Sequence, residues 1–143
     1  MVQLVGKILV VGLALAALDA GSAQAQTAAA KGKVITVQMV DKSATEYRFE
    51  PAAISVQPGD TLRFVTTGAM THNVEWKVVP TGAKLGDSQV GPYLTAKGQT
   101  YELVIDDRFA PGEYEIVCTP HQTLGMQAKV TIGRGSTKAA GGQ

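Results

Sequence analysis

The chain has few of the residues that disulfide-stabilised or nucleic-acid-binding proteins rely on. Its 143 residues include one cysteine and two histidines. A single cysteine excludes an internal disulfide, so the Cys118 thiol is a reactive group, an intermolecular bridge, a buried side chain or a metal ligand. Basic and acidic residues number 13 and 12, and neither sign forms a block. We therefore expect no nucleic-acid partner.

Long apolar runs are also scarce, and the one near the N-terminus is short. It covers residues 8–18, whereas about 20 apolar residues are needed to span a bilayer. Lys7 precedes the run, and small residues follow it up to the Ala-Gln-Ala sequence that ends at Ala25. This order is typical of a secretory signal peptide and predicts cleavage between Ala25 and Gln26. An uncut membrane anchor is the alternative interpretation.

The remaining chain suits a single domain. We interpret residues 1–25 as the signal peptide, residues 26–132 as one domain with one core, and residues 133–143, rich in Gly, Ala, Ser and Lys, as a flexible tail. The predicted leader implies an exported, periplasmic protein. After cleavage we expect no stable membrane insertion, and we expect a monomer.

The predicted domain is all-β. Apolar and polar residues alternate along most of it, which is the pattern of half-buried strands. Turn formers such as Pro58-Gly59-Asp60 separate six or seven such segments and favour a two-sheet sandwich. Among these segments are an extended one over residues 49–56 and a short strand over residues 72–76. Residues 78–92 are rich in Pro and Gly and predict a long connection, with a short helix or irregular strand around residues 84–90.

The scarce sulfur and imidazole side chains are concentrated near the C-terminus, in the spacing Cys-x2-His-x4-Met. Cys118 lies at the end of a predicted strand, on its inward face, and Met126 begins the inward face of the next. The loop between the strands carries His121. The second histidine, His72, lies far upstream and precedes Asn73. The strand pattern therefore predicts that Cys118, His121 and Met126 converge at one end of the sandwich.

One thiolate, two imidazoles and one thioether are the ligand set of a type 1, or blue, copper site. Each residue also has an ordinary interpretation. Cys118 and Met126 could fill the core, His72 could be a satisfied polar residue, and Cys118 with His121 could be half of a zinc site. The combination favours copper, because the chain has no second pair of cysteines for structural zinc.

The segment from Pro111 to Met126 closely resembles the plastocyanin and pseudoazurin branch of the cupredoxins. Residues 49–64 and the His72-Asn73-Val74 motif are similar to the same family, and the resemblance covers residues 33–132. It implies a Greek-key β-sandwich and one type 1 copper per chain. It also implies a carrier of single electrons rather than an enzyme. By motif, the ligands would be His72, Cys118, His121 and Met126.

The resemblance also implies how partners would dock. His121 would reach the surface within an apolar patch, and redox proteins would bind there weakly; c-type cytochromes and copper- or haem-containing reductases are the expected kinds. Met70, Pro92 and Leu124 are candidates for that patch. Ile116 and Val117 stand where a plastocyanin would usually have a tyrosine near its cysteine, which favours a pseudoazurin-like carrier.

Two further residues near the predicted site have specific expectations. The Asn73 backbone N–H could donate to the Cys118 sulfur, and the Asn73 side chain could tie the two ligand segments together. An ordinary turn residue is the alternative for Asn73. We expect Trp76 to belong to the core rather than to relay electrons.

Other copper chemistries are constrained by what is missing. A carrier or buffer that delivers the metal is the main alternative function, but such proteins favour exposed methionine and histidine clusters, and this chain has no methionine-rich tract. A trinuclear oxidase cluster requires additional His-x-His pairs, and a binuclear centre requires two cysteines. The composition excludes both.

Overall fold

The computed structural model describes residues 32–135, so the predicted signal peptide and residues 136–143 of the tail lie outside the described residues. Within that range no helix is both long and apolar enough to cross a membrane. Two short 3-10 helices, Gly86–Gln89 and Thr119–Leu124, accompany eight strands: β1 (Val34–Ser43), β2 (Glu46–Glu50), β3 (Ala53–Val56), β4 (Thr61–Thr66), β5 (Glu75–Val78), β6 (Thr100–Val104), β7 (Gly112–Val117) and β8 (Gln127–Ile132).

The strands form two four-stranded sheets, ordered β2-β1-β4-β6 and β3-β8-β7-β5. The pairs β1–β4 and β3–β8 are parallel, and the other pairs are antiparallel. Strands distant in sequence are therefore neighbours, as a Greek-key sandwich requires. The predicted all-β class and single domain are confirmed.

The number of strands exceeds the prediction because the extended segment 49–56 divides between the two sheets. It passes from β2 in the first sheet to β3 in the second, with Pro51 between them. Proline has no N–H to donate to a sheet, so a break at this position is physically reasonable. The short helix Gly86–Gln89 lies where the sequence predicted a helix or irregular strand.

The core lies between the sheets and follows the predicted alternation. In β8, the side chains of Ala128, Val130 and Ile132 are buried while their neighbours are exposed. Trp76 is fully buried and meets the rings of Phe109 and Tyr114 edge to face, with centroids 5.1 and 5.3 Å away. The prediction that Trp76 is a core residue is confirmed.

Hydrogen bonds fix the turn opposite the predicted site. The Asp60 carboxylate accepts the backbone N–H of Lys33 at 2.8 Å and that of Gln57 at 2.9 Å. Gly59 has φ +94°, a left-handed conformation that favours glycine. At the other boundary of the domain, the Gly133 N–H donates to the Val56 carbonyl at 2.9 Å. Ordered pairing therefore continues one residue beyond the predicted domain end.

Candidate metal centre

The connection between β7 and β8 carries three of the four predicted ligands. Cys118 directly follows β7, the helix Thr119–Leu124 carries His121, and Met126 directly precedes β8. The Cys118 N–H donates to the Met126 carbonyl at 3.1 Å, and the His121 N–H donates to the Cys118 carbonyl at 3.0 Å. Gly125 ends the helix with φ +85°. A short, internally hydrogen-bonded loop therefore holds these residues together.

The fourth residue, His72, lies in the connection between β4 and β5. The sequence predicted a strand over residues 72–76, but β5 begins only at Glu75. His72 instead pairs with Leu94 of a neighbouring connection: its N–H donates to the Leu94 carbonyl at 3.0 Å and its carbonyl accepts the Leu94 N–H at 2.7 Å. This pairing outside the main sheets fixes the backbone of His72.

Three donor atoms form a compact, buried triangle. Cys118 Sγ lies 3.6 Å from His72 Nδ1 and 3.6 Å from His121 Nδ1, and the two Nδ1 atoms are 3.2 Å apart. Bonds of roughly 2.0–2.3 Å from a central ion would place donors in a trigonal plane about 3.5–3.8 Å apart. The triangle fits one metal ion to within a few tenths of an ångström. The cluster therefore has the donor types and the size of a copper site.

Met126 is fully buried at the base of the same loop. Its N–H donates to the His121 carbonyl at 3.2 Å, and its carbonyl accepts the Cys118 N–H. These backbone contacts place Met126 beside two members of the triangle. Alternation predicted this convergence of Cys118, His121 and Met126.

The local electrostatics suit a metal-binding thiol and imidazole. Burial raises the pKa of the Cys118 thiol, and the backbone N–H groups of Asn73 and His121 offset part of that rise. A cation in the triangle would favour the thiolate, as metals do when they bind cysteine. Burial lowers the pKa of His121, and the neighbouring His72 lowers it further. His121 is therefore neutral near pH 7 and has a lone pair to offer a metal.

The side-chain contacts predicted for Asn73 are present. Its backbone N–H also acts to lower the pKa of the Cys118 thiol. Its side chain joins the two ligand segments, because Nδ2 donates to Thr119 Oγ1 at 3.0 Å and Oδ1 accepts the Thr119 N–H at 2.8 Å. Asn73 is fully buried. It therefore holds the His72 segment against the start of the loop that carries Cys118 and His121.

Replacing Asn73 with alanine is expected to destabilise the metal-free protein by about 2–3 kcal/mol, since it removes both side-chain hydrogen bonds and leaves a backbone N–H unpaired. Urea unfolding followed by circular dichroism measures this loss. Thr119→Val is the comparison. It removes the hydroxyl, which accepts from Asn73 and donates to the Glu75 carboxylate, but it keeps the bond from the Thr119 N–H to Asn73 Oδ1 and should therefore cost less. Equal stability of Asn73→Ala and the parent protein would contradict the proposed link between the segments.

Two residues at the site were not predicted. The ring of Tyr47, on β2, stacks on the ring of His121, with centroids 3.9 Å apart and planes at 17°. Asp41, on β1, places Oδ1 2.6 Å from His72 Nε2. Burial acts to raise the pKa of the Asp41 carboxyl, but hydrogen bonds from the Met70 N–H and from His72 outweigh it and hold that pKa below its usual value. Tyr47 alternates with Phe49, and from that pattern its inward direction could have been predicted, but no sequence signal pairs Tyr47 or Asp41 with a histidine.

The surface near the site agrees in part with the expected apolar patch. Met70 and Leu124 are 45% and 38% exposed, and Pro92 is also exposed. His121 itself is only 6% exposed. The resemblance implied that this histidine reaches the surface, and a small part of it does.

Comparison with known proteins supports the same assignment. Residues 35–133 match the family described as copper binding proteins, plastocyanin/azurin family. The chain is 33% identical over 121 residues to plastocyanin of Prochlorothrix hollandica, covering 84% of this chain and 88% of that protein. It is 33% identical over 135 residues to plastocyanin of Synechococcus sp. (strain JA-2-3B'a(2-13)), covering 91% and 90% respectively.

Among solved structures, pseudoazurin from Methylobacterium extorquens AM1 matches with a TM-score of 0.51 and 30% identity, over 71% of this chain and 76% of that one. Similarity to plastocyanin and to pseudoazurin is thus comparable, and it does not separate the two branches. The chain belongs to the plastocyanin/azurin family of copper-binding proteins, the cupredoxins, and binds one copper ion per chain.

Proposed function

We propose that this protein is an exported, periplasmic carrier of single electrons that holds a type 1 copper ion through His72, Cys118, His121 and Met126. The observation that carries the proposal is the buried triangle of one thiol and two imidazole nitrogens, with sides of 3.2–3.6 Å. Bound copper supplies one-electron chemistry by alternating between Cu(II) and Cu(I), and Met126 would be its weak axial ligand.

The way the ligands are held supports electron transfer. His72 is fixed by its backbone pairing with Leu94, while Cys118 is fixed by its backbone bonds to His121 and Met126. These contacts hold the donors already grouped, so little rearrangement is needed when the charge at the site changes. Preorganised side chains reduce the reorganisation that slows electron transfer.

Burial of the site favours an electron carrier over a carrier or buffer that delivers copper. Cys118 and His72 have no exposed surface, and His121 has 6%. Delivery requires donors that an acceptor protein can reach and exchange with. A metal enclosed in this way is expected to leave slowly while electrons still pass through the edge of His121.

Partners would dock on the apolar surface that includes Met70, Pro92 and Leu124. Redox encounters use small interfaces, below about 1,200 Å² in total. We propose c-type cytochromes or copper- or haem-containing reductases as the kinds of partner, and a monomer as the working form. The formal net charge of +1 agrees with weak, transient contact rather than strong steering towards one charge sign.

The spectrum and the redox behaviour of the copper-loaded protein test this function. Addition of Cu(II) to the purified protein is expected to give an intense visible band from thiolate-to-copper charge transfer, and voltammetry a reversible one-electron couple. Copper should leave slowly when a chelator is added. A colourless complex would contradict the electron-carrier proposal, and rapid loss to the chelator would favour the delivery alternative.

Met126→Leu tests the axial role of the thioether. Leucine has a similar volume, so the core should lose less than about 1.5 kcal/mol. Copper should remain bound by the three other donors, and the reduction potential should rise because Cu(II) loses an electron-donating ligand. Voltammetry and metal analysis measure the two effects. Complete loss of copper from Met126→Leu would contradict a weak axial role.

A further inference from the structure

Asp41 lies beside the candidate metal centre, and hydrogen bonds hold its carboxylate in place. Its Oδ1 lies 2.6 Å from His72 Nε2, and its Oδ2 accepts the Met70 N–H at 3.0 Å. The side chain of Asp41 is 19% exposed and that of His72 is 0% exposed. One carboxylate therefore binds both the imidazole of His72 and the backbone just before it.

The fold brings this carboxylate to the loop that precedes His72. β1 and β4 pair in parallel up to Met39 and Thr66, and Thr67 continues the contact by donating its N–H to the Met39 carbonyl at 3.0 Å. The chain leaving β4 therefore runs across the end of β1, where Asp41 lies. A Cβ atom at Gly68 would stand 1.9 Å from Asp41 Oδ2, far inside contact distance. Glycine at this position leaves room for the carboxylate.

The contact has a definite chemical consequence for His72. A carboxylate accepts hydrogen bonds, so the proton of the neutral imidazole lies on Nε2, which faces Asp41. Nδ1 then carries the lone pair, and it is the atom that faces Cys118 Sγ at 3.6 Å. Outer hydrogen bonds of this kind fix the tautomer and orientation of metal-binding histidines and raise their basicity.

We propose that Asp41 is a positioning residue for the copper ligand His72, holding its Nε2–H tautomer and lowering the reduction potential of the bound copper. The proposal rests on the proposed function, since it assumes that His72 binds copper. The negative charge would lie one imidazole ring away from a copper ion held by His72, so it would stabilise Cu(II) more than Cu(I). Asp41 thereby favours the oxidised state and keeps Nδ1 directed into the triangle.

Asp41→Asn is the direct test. The amide has nearly the same shape but no charge, and it cannot accept from both His72 Nε2–H and the Met70 N–H through two carboxylate oxygens. The redox equilibrium with a one-electron reference compound should shift about tenfold towards Cu(I), which is a rise of about 59 mV in the reduction potential. Copper affinity should fall about 10- to 100-fold.

Asp106→Asn is the control matched in charge. Asp106 pairs with Arg108. It follows the last residue of β6, which pairs with the first residue of β4. His72 follows the last residue of β4, so the two residues lie beyond opposite ends of that strand. Replacement of Asp106 should leave the potential unchanged. An equal shift in Asp106→Asn and Asp41→Asn, or no shift in either, would overturn the proposal.

A measurement on the unmutated protein tests the hydrogen bond even if Asp41→Asn fails to fold. In the Cu(I) form, proton NMR should show a slowly exchanging, downfield imidazole N–H resonance assigned to His72 Nε2. Rapid exchange of that proton with solvent would overturn the proposal. A blue protein with a reversible redox couple and the same reduction potential in Asp41→Asn would refute this inference alone. A protein without the charge-transfer band would refute the proposed function as well.

Discussion

Replacing Cys118 with serine is expected to abolish the visible charge-transfer band of the copper-loaded protein completely. The hydroxyl of serine is a hard, weakly acidic donor, and it cannot supply the thiolate that copper binds and that generates the colour. Cys118 is the only cysteine in the chain. No other side chain in the protein can supply a thiolate in its place.

The visible spectrum and a copper titration measure this effect directly. Serine is close in size to cysteine, so the metal-free variant should remain folded, with a loss of about 1–3 kcal/mol from burying the hydroxyl. Circular dichroism of the metal-free protein provides that control, and Met126→Leu is the comparison that should stay coloured. A Cys118→Ser protein that kept an intense band would refute the assignment of Cys118 as the copper ligand.

Trp76→Ala is expected to lower the free energy of unfolding by about 3–5 kcal/mol, because it removes the largest fully buried side chain and leaves a cavity. The indole also loses its edge-to-face contacts with Phe109 and Tyr114. A domain of this size is stable by only about 5–15 kcal/mol. The metal-free variant should therefore lie close to unfolding at ordinary temperatures.

Urea unfolding monitored by circular dichroism measures the change, since the variant lacks the tryptophan that fluorescence would report. Val78→Ala is the matched control: Val78 lies on the same strand but is 52% exposed, and surface truncations usually change stability by less than about 0.5 kcal/mol. A Trp76→Ala protein as stable as Val78→Ala would contradict the packing described here. Copper should restore part of the stability, because a ligand that binds only the folded state stabilises it.

Several parts of the site could be predicted because they depend on neighbours in sequence. Alternation along β7 and β8 placed Cys118 and Met126 at one end of adjacent strands, and the connection between them is too short to carry His121 far away. The contacts of Asn73 could be anticipated because it adjoins His72 and because its amide carries both donors and an acceptor that can join two segments.

The features that the sequence did not predict have a common physical cause, since each depends on a partner that is distant along the chain. His72 was expected in a strand, but its backbone pairs with Leu94, and no local pattern specifies a partner from another connection. The division of residues 49–56 between two sheets likewise depends on which strands lie beside them. Tyr47 and Asp41 contact the histidines only because β1 and β2 lie next to the loops that carry the donors.

The sequence by itself determined the candidate donor types, the all-β class and the inward faces of the strands, since composition and period-two alternation are local properties of the chain. Tertiary structure alone decided the sides of the donor triangle, the stacking of Tyr47 on His121 and the hydrogen bond from His72 to Asp41. Those features join residues that are far apart in sequence. Their distances depend on how the two sheets pack, which alternation along a single strand does not encode.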